Sequence, residues 1–239
     1  MKIAIIHSVS GRSAKFLKEY LVEAGHKVDI FRPYNDDRID FMEYDKVISL
    51  GCSAKTYTKI NARINTGTAI KLCVDKRLTF AAFDKHNVPT VGWTTEWRNI
   101  PKHWDQVVVR MKADGRKAED LDFYILPDQL GNVPKNAALY TQCHYGRFEY
   151  RVVVLAGKVV GRYFKALIPG GEWEFRLQNP KGFKEMDKQC IKAAKALGID
   201  YVGFDVLAHT KKNFVILEAN SGATVDREAA VAFVELFKK

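Results

Sequence analysis

Residues 203–222 read GFDVLAHTKKNFVILEANSG, a pattern that predicts two strands joined by a polar turn. Side chains two positions apart on a strand lie on one face, so Glu218 and Asn220 point the same way. The apolar residues before Glu218 place its carboxylate at the end of a buried strand, where it needs a partner or a cation. Asp205 lies on the neighbouring strand and can face the same space. These oxygens suit Mg²⁺; the alternative is that Glu218 pairs with a lysine and Asp205 caps a turn.

A second segment of interest is VVVRMKADGR at 107–116, which predicts an apolar strand that ends in basic residues. Alternation places Arg110 and Lys112 on one face of this strand. A lysine at the strand end, beside a loop that contains Gly115, can reach an anionic phosphate. The competing interpretation is an edge strand that carries solvated basic residues.

A hairpin is predicted for residues 149–168, where EYRVVVL and KVVGRYFKALI flank Ala156 and Gly157. Glu149 and Arg151 share one face of its first strand. They form either a surface pair, worth about 0–1 kcal/mol, or a site that holds a sugar hydroxyl and a phosphate.

The first 74 residues predict a small parallel α/β lobe, because strands and a helix follow one another at the spacing of a βαβ unit. The predicted elements of this lobe are at 2–6, 12–25, 28–31 and 46–50. Later amphipathic helices are predicted at about 75–87, 183–197 and 227–238.

The composition is that of a globular protein, with 47% hydrophobic residues. No apolar run approaches the roughly 20 residues that span a bilayer, so no membrane partner is expected. The four cysteines are dispersed, and their spacing matches no zinc site or disulfide framework. Reduced thiols and a cytoplasmic location are therefore expected, which for a viral protein means the cytoplasm of the host. The net charge is +10, but the basic residues are scattered. Nucleic acid is therefore disfavoured as the principal ligand.

Taken in order, these segments resemble the ATP-grasp superfamily. The series is CVDKRLTFAAFDKHNVPT, VVVRMK, YTQCHYGRFEYRVVV, IDYVGFDVL and VILEANSG. The resemblance covers about residues 60–225 and is closest to the branch with the ribosomal-protein glutamate ligase and short phage-type carboxylate–amine ligases. It implies an ATP-grasp fold of the α/β class, in which each lobe combines helices and strands (α+β lobes). The implied lobes are an N-terminal parallel α/β lobe at 1–74, a central lid subdomain at 75–145 and a C-terminal subdomain with a metal site at 146–239.

The resemblance also implies ligands for ATP and Mg²⁺. The implied nucleotide ligands are Lys76, Lys112, Gln142, Cys143 and Glu149. The implied Mg²⁺ ligands are Asp205, Glu218 and Asn220. Arg151 would face the phosphate or an acylphosphate. Arg176, with Asn179 near it, would meet the carboxylate substrate.

The resemblance implies an ATP-dependent, ADP-forming ligase that joins a carboxylate to an amine through an acylphosphate. The substrates would be an amino acid, a peptide or a protein tail. The sequence departs from the family pattern at two places. The loop at 113–120 has a single glycine, and the side chains of Arg116 and Lys117 are expected to compensate for the missing glycines. Gln142 stands where the family commonly has an acid. The alternatives are a nucleotide-binding regulatory protein without turnover and a basic nucleic-acid-binding protein.

Overall fold

The structure is a computed structural model of the chain. It describes residues 1–7, 11–32, 41–52, 63–114, 121–168, 173–179 and 181–238. Arg116 and Lys117, with most of the glycine-poor loop at 113–120, lie outside the described residues.

The N-terminal sheet is parallel and has the strand order β2-β1-β3-β4. Its strands are β1 (Lys2–His7), β2 (Lys27–Phe31), β3 (Lys46–Leu50) and β4 (Arg63–Ile64). Helix α1 (Arg12–Glu23) connects β1 to β2 and buries Ala14, Leu17 and Leu21. The predicted parallel α/β lobe is therefore confirmed.

A second, antiparallel sheet follows in the order β5-β8-β6-β7. Its strands are β5 (Trp93–Thr94), β6 (Gln106–Arg110), β7 (Leu121–Ile125) and β8 (Leu139–Gln142). The strand predicted to continue to Lys112 ends at Arg110 instead. Lys112 lies beyond the strand and is exposed.

The third sheet is antiparallel, with the order β11-β10-β9-β12-β13. Its strands are β9 (Phe148–Leu155), β10 (Lys158–Leu167), β11 (Trp173–Leu177), β12 (Tyr201–Ala208) and β13 (Phe214–Asn220). Ala156 and Gly157 make the predicted hairpin turn with φ angles of 46° and 75°. Positive φ at both turn residues matches the right-handed twist of the two strands.

Helices cover the third sheet on both faces. These are α2 (Gly67–Val74), α3 (Lys76–Lys85), α4 (Lys184–Leu197) and α5 (Arg227–Phe237). One face packs through Val152, Phe204 and Ile216 against a core shared with α2, α3 and α4. Part of the other face packs through Val153 and Tyr201 against the N-terminal sheet, α1 and α5. None of the described helices combines the length and apolarity that a bilayer crossing requires.

The three sheets fall one each within the predicted segments 1–74, 75–145 and 146–239. Helix α3, however, packs with the third sheet although it precedes the second sheet in sequence. The exact lobe boundaries remain a prediction. The packing has a direct effect on the site, because it brings the start of α3 next to the third sheet.

Candidate active site

A row of charged side chains crosses one face of the third sheet. The strand register places Arg151 opposite Asp205, and Asp205 opposite Glu218. Glu149 lies two residues before Arg151 on the same face and is opposite Lys165. The five row residues belong to neither of the two cores, and Glu218 has the most exposed side chain among them, at 38%.

A β-bulge determines which residue meets Glu149. The turn of the β9–β10 hairpin alone would place Phe164 opposite Glu149. The register shifts by one residue between Val159 and Gly161, so Lys165 takes that position. A bulge inserts one extra residue in one strand and moves the following side chains to the other face. The bulge therefore brings a lysine to the charged row.

A second bulge acts on the metal-ligand candidates. The turn between β12 and β13 alone would place Leu217 opposite Asp205. The register shift between Asp205 and Val206 places Glu218 there instead. The predicted meeting of Asp205 and Glu218 thus depends on a local irregularity in the strand pair.

Arg151 and Asp205 form a two-pronged ion pair. Arg151 donates from Nε to Oδ1 at 2.6 Å and from Nη2 to Oδ2 at 2.8 Å. Lys165 Nζ lies 3.2 Å from the same Oδ2 and also donates to Glu149. Burial alone would lower the pKa of Arg151, but the pair with Asp205 and the nearby Glu218 and Glu149 carboxylates raise it. Both Asp205 oxygens are engaged in this arrangement.

We expect Asp205→Ala to lower the free energy of unfolding by about 2–3 kcal/mol, because it leaves two largely buried cations without their shared carboxylate. The side chains of Arg151 and Asp205 are 20% and 12% exposed, so solvent moderates the loss. Urea denaturation measures it. The matched control is Glu174→Ala, which removes the partner of an exposed arginine and should change stability by less than about 0.5 kcal/mol. Equal effects of the two substitutions would contradict a structural role of the Asp205 pair.

Lys76 reaches the same row from helix α3. Its Nζ lies 3.7 Å from Glu218 Oε2, and the lysine is 7% exposed as a whole residue. Asp75 caps the helix by accepting from the backbone N–H of Arg77 at 3.0 Å. The backbone N–H of Lys76 donates to the carbonyl of Ala113 at 3.0 Å, which ties the helix start to the chain after β6.

Arg110 is a further cation at this junction, and its role was not identified from the sequence. It ends β6, and its Nε is buried with no hydrogen-bond partner among the described residues. Burial lowers the pKa of Arg110, and the nearby Glu218 carboxylate partly offsets that effect. A buried donor without a partner costs about 1–3 kcal/mol. An anionic ligand would supply the missing acceptor, and strand alternation was the available signal for this residue.

The predicted adenine ligands lie at the end of β8. The backbone N–H of Gln142 donates to the carbonyl of Gly92 at 2.8 Å, and that of Cys143 donates to Gln106 at 2.9 Å. Burial raises the pKa of the Cys143 thiol, and a contact with Tyr145 partly offsets the rise. Because both N–H groups are already used, a base at this strand end would have to meet carbonyl or side-chain groups.

The fold does not bring the Arg176 side chain close to Arg151. It pairs with Glu174 on its own strand at 2.6 Å, and its side chain is 59% exposed. It lies opposite Phe164, whereas its neighbour Phe175 places its ring 5.3 Å from the Arg151 guanidinium carbon on the charged face. Arg176 therefore projects from the other face. Asn179 is exposed as well, and the substrate role of both residues remains a prediction.

The predicted Mg²⁺ ligands are Asp205, Glu218 and Asn220. They offer two carboxylates and one amide oxygen on neighbouring strands, which is a hard-ligand set. Glu218 is 38% exposed at its side chain, and Asn220 is half-buried on the same face. No cluster of three or more His, Cys, Asp and Glu in the described parts of the chain forms a metal site. The donor chemistry fits, with Glu218 and Asn220 as the more accessible ligands.

Solved structures of ATP-grasp ligases resemble this chain over nearly its whole length. A structure of the ligase PsnB, complexed with minimal precursor, Mg and ADP, superposes with a TM-score of 0.74 at 15% identity, covering 99% of this chain and 97% of that one. D-alanine–D-alanine ligase from Bacillus anthracis gives 0.67 at 12% identity, with 99% and 96% covered. The macrocyclase MdnC from Microcystis aeruginosa, bound with precursor peptide MdnA, gives 0.72 at 11% identity, with 100% and 99% covered.

The sequence itself matches no protein-family model and no curated protein. The likeness is therefore one of fold.

Proposed function

We propose that this chain, which has the ATP-grasp fold, is an ATP- and Mg²⁺-dependent ligase that joins a carboxylate to an amine. The observation that carries the proposal is the convergence of Lys76, Arg110, Arg151 and Lys165 on one row of carboxylates. These cations come from three different sheets or helices, and Arg110 has a buried donor that no described residue accepts. Such a site suits a polyphosphate.

Within this proposal, Lys76 and Arg110 bind phosphate oxygens of ATP. Both lie beside Glu218. Glu218 would hold Mg²⁺ together with Asn220. Asp205 would be the third ligand, through an oxygen that also contacts its cation partners. A bound Mg²⁺ would neutralise negative charge on the phosphates. Glu149 lies beside Arg151 on the same strand face, and in this proposal it binds a ribose hydroxyl while it accepts from Lys165.

The chemistry needs no nucleophile from the protein. An oxygen of the substrate carboxylate attacks the γ-phosphorus, the bond to the β-phosphate oxygen breaks, and ADP leaves. A neutral amine then attacks the acyl carbon, the carbon–nitrogen bond forms, and the bond from the acyl carbon to the phosphate oxygen breaks. Phosphate leaves, and the nitrogen loses one proton to phosphate or solvent. The residues of the row hold the reactants in place and balance their charge. Arg151 binds Asp205 through Nε and Nη2, so it would meet the carboxylate or acylphosphate through its other edge, with Nη1 and the second N–H of Nη2.

The proposed substrates are amino acids, peptides or protein tails. Support for a peptide comes from the fold neighbours PsnB and MdnC, which are complexed or bound with precursor peptides. The basic net charge would attract acidic donors.

The experiment is an ADP-release assay with Mg²⁺ and a panel of amino acids and short peptides. We expect ADP only when a carboxylate and an amine are both present. With an ¹⁸O-labelled carboxylate, the label should appear in the released phosphate, because the attacking oxygen stays with phosphorus. Unlabelled phosphate during product formation would exclude the acylphosphate route.

A second candidate is a nucleotide-binding regulatory protein without turnover. It is favoured by the engagement of both Asp205 oxygens with Arg151 and Lys165, which leaves fewer free ligands for a metal. Tight ATP binding without ADP release across the whole panel would support it over the ligase.

We expect Arg110→Ala to weaken ATP binding at least about tenfold, since it removes a charge-assisted hydrogen bond to phosphate. Stability of the unliganded protein should not fall, because the guanidinium Nε has no partner to lose among the described residues. Calorimetric titration with a non-hydrolysable ATP analogue measures the affinity. Arg98→Ala is the control and should change the affinity less than about twofold, because Arg98 is exposed and has no part in the proposed site. Equal effects of the two substitutions would contradict the phosphate role of Arg110.

A further inference from the structure

A cavity of about 230 Å³ lies beside Arg151, on the side away from the Glu218 end of the row. Its lining residues are Arg151, Val153, Tyr163, Phe175, Thr224 and Asp226. The cavity therefore touches the charged row at one residue only, and the functional roles proposed above do not use its other walls.

Two polar groups lie side by side in this cavity. The Tyr163 hydroxyl is buried, and its contact with the Asp226 carboxylate falls short of good hydrogen-bond geometry. Burial raises the pKa of Tyr163, and the Asp226 carboxylate raises it further. Asp226 Oδ1 accepts from the backbone N–H of Ala229 at 3.0 Å and caps α5. Because a carboxylate accepts several hydrogen bonds, Asp226 can bind a ligand donor beside the Tyr163 hydroxyl.

Besides Thr224 and the Arg151 guanidinium, the remaining walls are aromatic or apolar. The Phe175 ring lies at the mouth, against the Arg151 guanidinium. The Tyr163 ring occupies the space over Gly161, where an added Cβ would lie 2.6 Å from ring atoms. A carboxylate set among aromatic rings favours a cation, because the ring faces carry negative charge and the carboxylate is partly withdrawn from water.

We propose that this cavity binds the amine substrate as its ammonium ion, with Asp226 as the residue that selects a cation. The bound ion must lose one proton to solvent before the neutral amine attacks the acyl carbon. The inference rests on the proposed ligase function, because Arg151 at the cavity's edge is where the acyl group would be held. A volume of about 230 Å³ accommodates one amine-bearing side chain or a small amino acid. It would therefore admit the end of a substrate while the rest of a peptide stays outside.

The test uses n-butylammonium chloride as the probe and n-butanol as its neutral counterpart. Each is titrated into the full chain without ATP, and ¹³C-methyl resonances of Val153 report binding within the cavity. We expect a saturable shift with butylammonium, and binding of butanol weaker by at least about tenfold.

Asp226→Asn should weaken butylammonium binding about tenfold and still cap α5, since asparagine is an equally good N-cap. Glu235→Gln removes the same charge from an exposed position near the end of α5, and binding should stay within about twofold. If Asp226→Asn does not fold, Tyr163→Phe decides instead and should weaken binding about threefold.

The inference would be overturned if Asp226→Asn bound butylammonium as tightly as the wild type. Where Tyr163→Phe is used instead, the same result for that variant would overturn it. Equal affinities for butanol and butylammonium would do so as well. These outcomes leave the ligase proposal intact if ADP is still formed. Conversely, if butylammonium binds as expected and no substrate pair releases ADP, the cation site stands and the ligase proposal fails.

Discussion

Glu218→Ala should reduce Mg²⁺-dependent ADP formation by at least about 10³-fold, equivalent to about 4 kcal/mol of transition-state stabilisation. Glu218 is the most accessible carboxylate of the proposed metal set, and it lies beside both cations assigned to the phosphates. Its removal would take away a metal ligand and the group that orients Lys76. Steady-state kinetics over a range of Mg²⁺ concentrations measure the effect.

The same substitution should leave the fold intact. The ion pair of Glu218 with Lys76 is long, at 3.7 Å, and the glutamate side chain is 38% exposed. We expect the free energy of unfolding to change by less than about 1 kcal/mol. Glu235→Ala, on an exposed position of α5, is the control and should retain full activity. Wild-type turnover in the Glu218 variant would refute its assignment to the metal.

Asn65→Ala should lower the free energy of unfolding by about 3–5 kcal/mol, because it leaves several buried backbone groups without partners. Asn65 is fully buried. Its Nδ2 donates to the carbonyls of Ser49 at 3.1 Å and Tyr201 at 2.7 Å. Its Oδ1 accepts from the N–H groups of Asp200 at 3.1 Å and Tyr201 at 2.7 Å. One side chain thus joins the first and third sheets.

The need for Asn65 follows from the lengths of the strands. β13 ends at Asn220, opposite Gly203, so Tyr201 has no neighbour from that strand. The Asn65 amide replaces the missing peptide group. Its φ of 65° is also a conformation in which asparagine is favoured over alanine.

Asn65→Gly separates the two contributions, because glycine accepts a positive φ but makes none of the side-chain bonds. It should be about 1 kcal/mol more stable than Asn65→Ala and still well below wild type. Urea denaturation of the three proteins gives the comparison. A loss below about 1 kcal/mol in both variants would show that water replaces the amide.

The fold could be predicted largely from local patterns. The βαβ spacing of the first 50 residues and the Ala156–Gly157 turn both have short-range causes, and both occur as expected. The strand at 107–112 was too long by two residues. Arg110 still bonds through its carbonyl to the N–H of Ala138, whereas the chain leaves the sheet at Met111. Where a strand ends depends on its neighbour's length, which a single sequence does not show.

The site could be predicted only in part, because two of its features depend on register. Strand alternation indicated that Glu218 and Asn220 share a face. It did not show that Lys165 would meet Glu149, because a one-residue bulge decides that pairing. The roles of Lys76 and Arg110 relative to Glu218 depend on how a helix and a second sheet pack against the third. No pattern within one strand contains that information.

The packing of α5 has a consequence for how the chain acquires its structure during synthesis. This helix completes the core of the N-terminal sheet, in which Phe233 and Phe237 join Leu17 and Ile5. During synthesis, β1 and β2 are therefore made more than 200 positions before the residues of α5 that complete the cover of their apolar face. Contacts between such distant parts of a chain form late and slowly. Chaperones would therefore bind the N-terminal lobe early in synthesis, because its apolar face is exposed and can associate with other chains.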